Sequence, residues 1–540
     1  MSINLSKSSA CIFSPVSAAL LGAAFFIAVY GCKILNPLFI EWTLRQDAAT
    51  HFLGWHFFRT EPWHFPLGIV QSLNYPQGTS VVFTDSIPLI AFLLKPFSPF
   101  LPAHFQYHGI WLLLSYMLQG IFGWYLVSRF IKNRYIAFVG TLFFIMSPVL
   151  VQRAELHESL TAHWILLAAL YLYFDPDTLH TRIKWGVLFF AASMIHFYFL
   201  FMIVLLYSGY FLRNSLESDG RHRASIFSFS VISAFMLCGA MWIEGYFIIG
   251  IKEASASGFG YYSMNLLAPL NPMPFTSFLF FNALPSATLG QYEGFNYLGL
   301  GLILLGVTSG IAGLRHKYIV KKSNAVPLAL TCLILFLLSI SNAITFANHE
   351  LLHLRLPQLV YEKLGIIRAS GRMFWPITYI LTLSCLVLIV RIQNSRKAAI
   401  IISFAVVIQI MDFFPFYRSV SIDRTLWKNS LHSNVWAQCA KRYDHIACIP
   451  ALVESDNYVP FALYAGDHGL TINVASMARA DYFAKSNYRN DQKNLYARGS
   501  FDKNTLYVFL NKSTVPDFLP SDSLRNHAVR WVDGYPIIMP

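Results

Sequence analysis

Long apolar runs recur through the first three quarters of this chain, and they dictate what it can fold into. Clear runs occupy about 11–32, 106–130, 135–151, 160–174, 225–251, 296–314, 325–345, 373–391 and 398–414. A helix needs about 20 apolar residues to cross a hydrocarbon core of about 30 Å. Runs of this kind predict an α-helical polytopic membrane protein. Composition points the same way: 56% of the residues are hydrophobic and 12% are charged, against about 25% charged in an ordinary soluble domain. A soluble enzyme and a disordered chain are both excluded. The net charge of +13 does not indicate nucleic acid, because the basic residues sit in short clusters between apolar runs. That pattern is a topology signal.

The stretch 183–212 is too long for one span and is interrupted by His196-Phe-Tyr198. Read as a helical hairpin, it places every basic cluster on one side of the membrane. These clusters are Arg129/Lys132/Arg134, Arg182/Lys184, Arg213/Arg221/Arg223, Arg315/Lys317/Lys321/Lys322 and Arg391/Arg396/Lys397, with Lys7 at the N-terminus. By the positive-inside rule that side is the cytoplasm. The expected count is eleven helices in a cytoplasmic (inner) membrane, N-terminus inside and C-terminus outside. Residues 11–32 read as an uncleaved first helix, since Tyr30 is too large for a lipoprotein cleavage box.

Charge density marks a boundary. Residues 418–540 hold 14 Lys/Arg and 11 Asp/Glu, while the first 417 residues hold 42 charges. The expected domains are therefore 1–417, a transmembrane domain with interfacial helices in the 33–105 loop, and 418–540, an extracytoplasmic tail. The tail alternates strand-like runs at 445–450, 470–474, 505–510 and 535–538 with helices near 432–442 and 457–466. That pattern predicts a small α/β domain, which either binds an acceptor or caps the membrane mouth. Cys439 and Cys448 both fall in the tail, where an oxidising compartment would let them pair.

Most acids before residue 418 fall in the expected outer loops. In the first loop Asp47 and His51 are four apart, so they share one helical face. Phe52, Trp55, Phe58 and Arg59 read as interfacial anchors. A solvated Asp47 capping that helix is the plainer alternative to a functional acid. Asp85 or Ser86 reads as the cap of an apolar helix over 87–97. Between 152 and 163, Glu155, His157, Glu158 and His163 crowd one loop without the HExxH spacing of a zinc protease. Glu158 is either a binding acid or a helix cap. Glu293 enters the next span beside Gly294. Arg368 and Arg372, four apart, form a phosphate-sized cationic pair, and they are equally able to pair with Glu293 or Glu362 as structural glue.

The motifs Phe-Leu-Gly-Trp-His-Phe-Phe-Arg59, Phe-Thr-Asp85-Ser-Ile-Pro-Leu, Gln-Tyr-Glu293-Gly-Phe-Asn-Tyr-Leu-Gly and Arg368-Ala-Ser-Gly-Arg372-Met-Phe-Trp-Pro resemble a family of bacterial polytopic membrane proteins with GT-C-like architecture. The resemblance runs over most of residues 40–415 and into the tail at Ala478-Arg479. The wider layout is similar to the GT-C superfamily of glycosyltransferases, which use polyprenyl-phosphate sugars. The resemblance implies an inverting transfer of a sugar to a glycan or lipid acceptor at the outer face of the membrane. It implies Asp47 as catalytic base, Glu158 as second acid, and Arg368 and Arg372 against the lipid phosphate. His51, His157 and Glu293 would line the substrates. A divalent cation held by Asp47 and Glu158 is a further implication, although this sequence lacks a strict DxD, since Ala48 follows Asp47. The competing class is non-catalytic: a transporter or flippase, or an assembly factor, for a lipid-linked glycan. No matching pair of broken helices in the two halves, as in inverted-repeat transporters, is evident.

Overall fold

Ser14 opens the first helix, Pro15–Tyr30, with a reciprocal cap. Its hydroxyl accepts from the Ser17 N–H at 3.3 Å, and the Ser17 hydroxyl accepts from the Ser14 N–H at 2.8 Å. In this computed structural model the residues described are 13–217, 219–250, 258–274, 276–278, 284–315, 322–420, 426–452, 455–519, 525 and 529–540. The expectations attached to Lys7, Cys11, Lys317 and Lys321 lie outside them.

Among the described residues five helices are long and apolar enough to cross a membrane: His108–Phe130, Phe197–Glu217, Gly220–Glu244, Ser370–Ile392 and Ser395–Ser419. A sixth crossing is available if Arg134–Ile145 and Pro148–Glu155, bent by 42°, count as one span. The bend falls at Pro148, which lacks an N–H for the helical ladder. The other expected spans are helices too, but shorter. Trp164–Tyr173 has 10 residues and reaches about 15 Å, half a hydrocarbon core. The 183–212 stretch breaks at Met194–His196, between Leu179–Ser193 and Phe197–Glu217. Trp185 packs on Tyr210 and Phe189 on Tyr207, so the two helices run antiparallel.

By contacts the chain forms two units, each assembled from separated stretches. The first takes the described residues within 1–33, 109–238 and 255–421. Here Pro15–Tyr30 meets His108–Phe130 across two glycines. A Cβ on Gly22 would stand 2.1 Å from the Tyr116 carbonyl oxygen, and one on Gly120 would stand 2.2 Å from that of Ala18. Small residues at such crossings let membrane helices approach closely. Asp412 accepts from the Tyr297 hydroxyl at 2.7 Å and the Leu300 N–H at 3.0 Å, and also from Ser277. It thereby caps Leu300–Arg315, an ordinary use for an otherwise expensive buried acid.

The second unit takes the described residues within 34–108, 239–254 and 422–540. Its centre is a mixed five-stranded sheet in the order Thr471–Ile472, His445–Ile449, Thr505–Phe509, Tyr535–Ile538, Val529–Val532. The first three strands are parallel, Tyr535–Ile538 runs antiparallel to Thr505–Phe509, and Val529–Val532 runs antiparallel to Tyr535–Ile538. The expected tail strands and helices are present, with three additions among the described residues: the helices Tyr482–Ala497 and Val515–Phe518 and the edge strand Val529–Val532. The first loop joins this sheet. Ile472 donates to the Ser72 carbonyl and Tyr75 donates to the Ile472 carbonyl, each at 2.8 Å.

Two expectations need correcting. Phe52, Trp55 and Phe58, read as interfacial anchors, are at most 1% exposed. The helix that carries them, Gln46–Thr60, is buried in protein along nearly its whole length. Arg59 spends its donors on the carbonyls of Ser98, Leu101, Pro102 and Ala103. Cys439 and Cys448 are buried free thiols. Cys439 lies on the helix Val435–Arg442 with its sulfur 3.7 Å from that of Met539, and Cys448 lies within a sheet strand.

Candidate functional site

Two of the sequence motifs dock through glycines in the first unit. The turns Leu289–Gly294 and Ser370–Phe374 press together so closely that a Cβ on Gly371 would stand 2.5 Å from the Gly294 Cα. Asn296 ties them, its amide donating to the carbonyls of Gly371 at 2.9 Å and Gly294 at 3.0 Å. This backbone approach sets Glu293 against Arg372, whose Nε and Nη2 donate to Oε2 at 3.1 and 2.8 Å. Arg153, from the helix Pro148–Leu156, closes the other side. Its Nη1 lies 2.9 Å from the same oxygen, and its Nη2 donates to the Glu293 carbonyl at 3.1 Å.

Aromatic rings back each cation. Arg153 lies 5.8 Å from the Trp375 ring centroid, Arg372 lies 4.7 Å from that of Tyr198, and Arg368 lies 5.7 Å from that of Tyr262. Burial alone would raise the Glu293 pKa, but Arg153 and Arg372, with Arg368 beyond them, pull it down to about 2. The carboxylate is therefore ionised throughout the physiological range. Three arginines against one acid leave a surplus of two positive charges. Arg368 is half-buried and, among the described residues, has no hydrogen-bond or ion-pair partner. Of the two alternatives open for the arginine pair, Arg372 takes Glu293, while Glu362 accepts from Gln358 at 2.9 Å.

Arg153 is the member that sequence reasoning passed over. The signal for it was a cation two residues after the apolar Val149-Leu-Val151 on a short helix, where a charge needs a partner. Nearby in sequence, Glu158 is 1% exposed and opens the turn Glu158–Thr161. Its carbonyl accepts from Trp111 Nε1 at 2.9 Å and from the Thr161 hydroxyl at 2.6 Å. His157, half-buried, follows the end of Pro148–Leu156. His163, one of the residues crowding that loop in the sequence, is buried, with its ring centroid 4.5 Å from that of Trp375, and bonds Tyr379 through Nδ1 at 2.7 Å.

In the second unit Asp47 is exposed in the first turn of Gln46–Thr60, where a negative charge suits the helix dipole. His51, one turn on, faces the interior. A ring nitrogen of His51 and a carboxylate oxygen of Asp85 lie within 4.8 Å, so the residue brought to His51 is Asp85. The expected capping by Asp85 or Ser86 does not occur: Pro88–Leu94 has no side-chain cap. Ser86 donates instead to the His51 carbonyl at 2.7 Å. Asp85 and Ile87 both hold φ of 52°. Left-handed backbone at a β-branched residue costs about 1–3 kcal/mol and tends to mark functional turns.

A second cluster in this unit joins the first loop to the tail. Asp467 Oδ1 lies 3.0 Å from His56 Nε2 and 2.8 Å from His104 Nε2. Burial would raise the Asp467 pKa, yet the two histidines hold it at about 2. The bond to Asp467 raises the His104 pKa. The expected metal pair supplies one carboxylate from each unit, Asp47 exposed and Glu158 buried.

The motif-bearing region coincides with a known family. The profile of DUF6311, a domain of unknown function, matches residues 19–414. The chain belongs to the DUF6311 family. The DUF6311 C-terminal domain matches residues 435–540. No curated protein matches the chain. Among solved structures, the archaeal oligosaccharyltransferase AglB from Archaeoglobus fulgidus, in complex with an inhibitory peptide and a dolichol-phosphate, is similar over 93% of this chain and 70% of its own. The identity is 12% and the TM-score 0.42. A likeness at that TM-score is too loose to bear on function.

Proposed function

We propose that this DUF6311 protein is a membrane glycosyltransferase with eleven crossings, its N-terminus cytoplasmic and its tail outside the cytoplasmic membrane. It moves a sugar from a polyprenyl-phosphate donor to a glycan or lipid acceptor. The observation that supports this most is the cationic surplus around Glu293. Arg368, with no hydrogen-bond or ion-pair partner among the described residues, is the cation that meets a phosphate. Transfer from a lipid phosphate develops negative charge on the leaving oxygens, and preorganised cations stabilise that charge where it forms. Arg153 and Arg372 set the field while Glu293 fixes their positions. Asp47, exposed on its helix, serves as base for the acceptor hydroxyl, an effect of about 10²–10⁴-fold. Glu158 is the second acid, with His51 and His157 at the substrates.

The test is turnover of polyprenyl-phosphate sugars by purified protein. Arg368→Gln should lower kcat by about 10²-fold, as loss of one charge-stabilising donor does elsewhere, with the Tm unchanged. Full activity in that variant would remove Arg368 from the mechanism, and no turnover of any lipid-phosphate sugar by the unaltered protein would end the enzyme reading. A non-catalytic carrier or assembly factor is the second reading. It is favoured by the position of Asp47, whose charge already suits the first helical turn. It predicts binding of lipid phosphate without product.

A further inference from the structure

The sheet of the second unit reverses its winding direction at one place. From the strand His445–Ile449 the chain passes through the helix Val459–His468 to Thr471–Ile472 on one side. It then returns through Tyr482–Ala497 to Thr505–Phe509 on the other side of His445–Ile449. The next segment, Val515–Phe518, packs with Tyr496 over the face made by Ala447, Ile449, Tyr507 and Phe509. The parallel strands either side of the reversal therefore send their chains apart, and a crevice opens beyond their C-terminal ends. Open α/β sheets bind ligands in that crevice. A cavity of about 400 Å³ lies there, lined by Asn457, Phe509, Asn511, Lys512, Tyr535 and Pro536 among others. That volume falls within the range of small-ligand sites, about 300–1,000 Å³.

We infer that this crevice binds an anionic sugar unit, a uronate or a sugar phosphate. Among the described residues, Lys512 is the one charged side chain in the lining. It has no ion-pair partner among the described residues, its ammonium resting 5.2 Å from the Trp531 ring centroid. Asp533, beside the lining residue Gly534, is already engaged: one of its oxygens accepts from the N–H groups of His432 and Ser433 and from Trp436 Nε1. Asp456, beside Asn457, accepts from the Gln46 N–H at 2.8 Å. An anion entering beside Lys512 thus meets attraction. Asn457 is exposed. Asn511 commits only its carbonyl oxygen, to the Ser513 N–H at 3.1 Å, which leaves its amide N–H groups for hydroxyls. Tyr535, half-buried, supplies a ring against which the face of a sugar can lie. Calling the ligand an end of the acceptor glycan rests on the proposed transferase function; the crevice and its preference for an anion do not.

The test uses the full-length protein in nanodiscs, without donor, and saturation-transfer NMR with calorimetry. The probes are methyl glucuronide, glucose 6-phosphate, neutral methyl glucoside and inorganic phosphate. Binding of either anionic sugar above the neutral one, weakened about 10-fold by Lys512→Gln and less by Asn457→Ala with Tm unchanged, supports the site. Binding of the glucuronide alone or the sugar phosphate alone identifies which anion it takes. Equal binding of methyl glucoside, inorganic phosphate matching the sugar phosphate, indifference to Lys512→Gln, or no binding at all overturns it. Turnover of lipid-phosphate sugars without such binding sinks the crevice alone, and binding without turnover sinks the transferase reading alone.

Discussion

Glu293 and Asp467 are both carboxylates held near a pKa of 2, and they are held in opposite ways. Glu293 sits between arginines, which stay charged at every accessible pH. Asp467 sits between two imidazoles, and its bond to one of them, His104, raises that ring's pKa. The first cluster is sealed, with both partners' side chains 7% exposed. The second is open on one side, where His104 is 42% exposed. A buried arginine cluster behaves as a fixed part of its unit. A histidine clamp tying the first loop to the tail answers to pH.

The sharpest way to break the comparison is Glu293→Gln. It leaves Arg153 and Arg372 buried without a counter-charge, which costs about 3–5 kcal/mol where a buried pair is broken. Thermal unfolding in detergent should show a large fall in Tm. A Tm close to that of the unaltered protein would mean that water reaches the cluster and that it is not sealed.

Asp467→Asn should have a smaller effect that depends on pH. A lowered acid pKa contributes stability above the ordinary value of about 4, and that stability is lost as pH falls through about 2. A raised histidine pKa contributes stability below about 6.5, lost as pH rises through the folded value. The clamp is therefore strongest between about pH 4 and 6.5 and loosens above neutrality. Asp467→Asn should flatten the pH dependence of unfolding and bring the His104 NMR titration back to its ordinary range. An unmoved His104 titration would detach it from Asp467.

The smallest structural effect belongs to Asp47→Asn. Removing one exposed charge from a first helical turn costs about 0.3–1 kcal/mol, while transfer should fall by the 10²–10⁴-fold of a lost base. Matched losses of stability and activity would reduce Asp47 to a helix-terminus charge.

Much of the fold follows from local pattern. Apolar runs, the hairpin break beside His196 and the strands at 445, 505 and 535 all depend on residues close together in the chain. The site was legible only in part. Glu293, Arg368 and Arg372 stood out as charges at the ends of apolar runs. The choice of Glu293 over Glu362 as the partner of Arg372 did not, because both lay within reach of a loop of unknown path. The anchor reading of Phe52, Trp55 and Phe58 failed for a related reason. Aromatic residues on a helix serve equally at a lipid boundary and in a protein core, and periodicity does not distinguish the two.

By itself, then, the sequence determined the class of solvent this protein demands, the positions of its helices and the strands of its tail. Each of these reflects burial and backbone preference averaged over a few neighbouring residues. Only the tertiary structure decided that Arg153 meets Glu293 across 140 positions, that Ser72 and Tyr75 extend the sheet at Ile472, and that a crevice opens between Asn457 and Lys512. Pairings of that range are selected by which surfaces pack together, through glycines such as Gly294 and Gly371 whose missing side chains permit the approach. No local period encodes that selection, because its energy belongs to the packed contact and to neither segment alone.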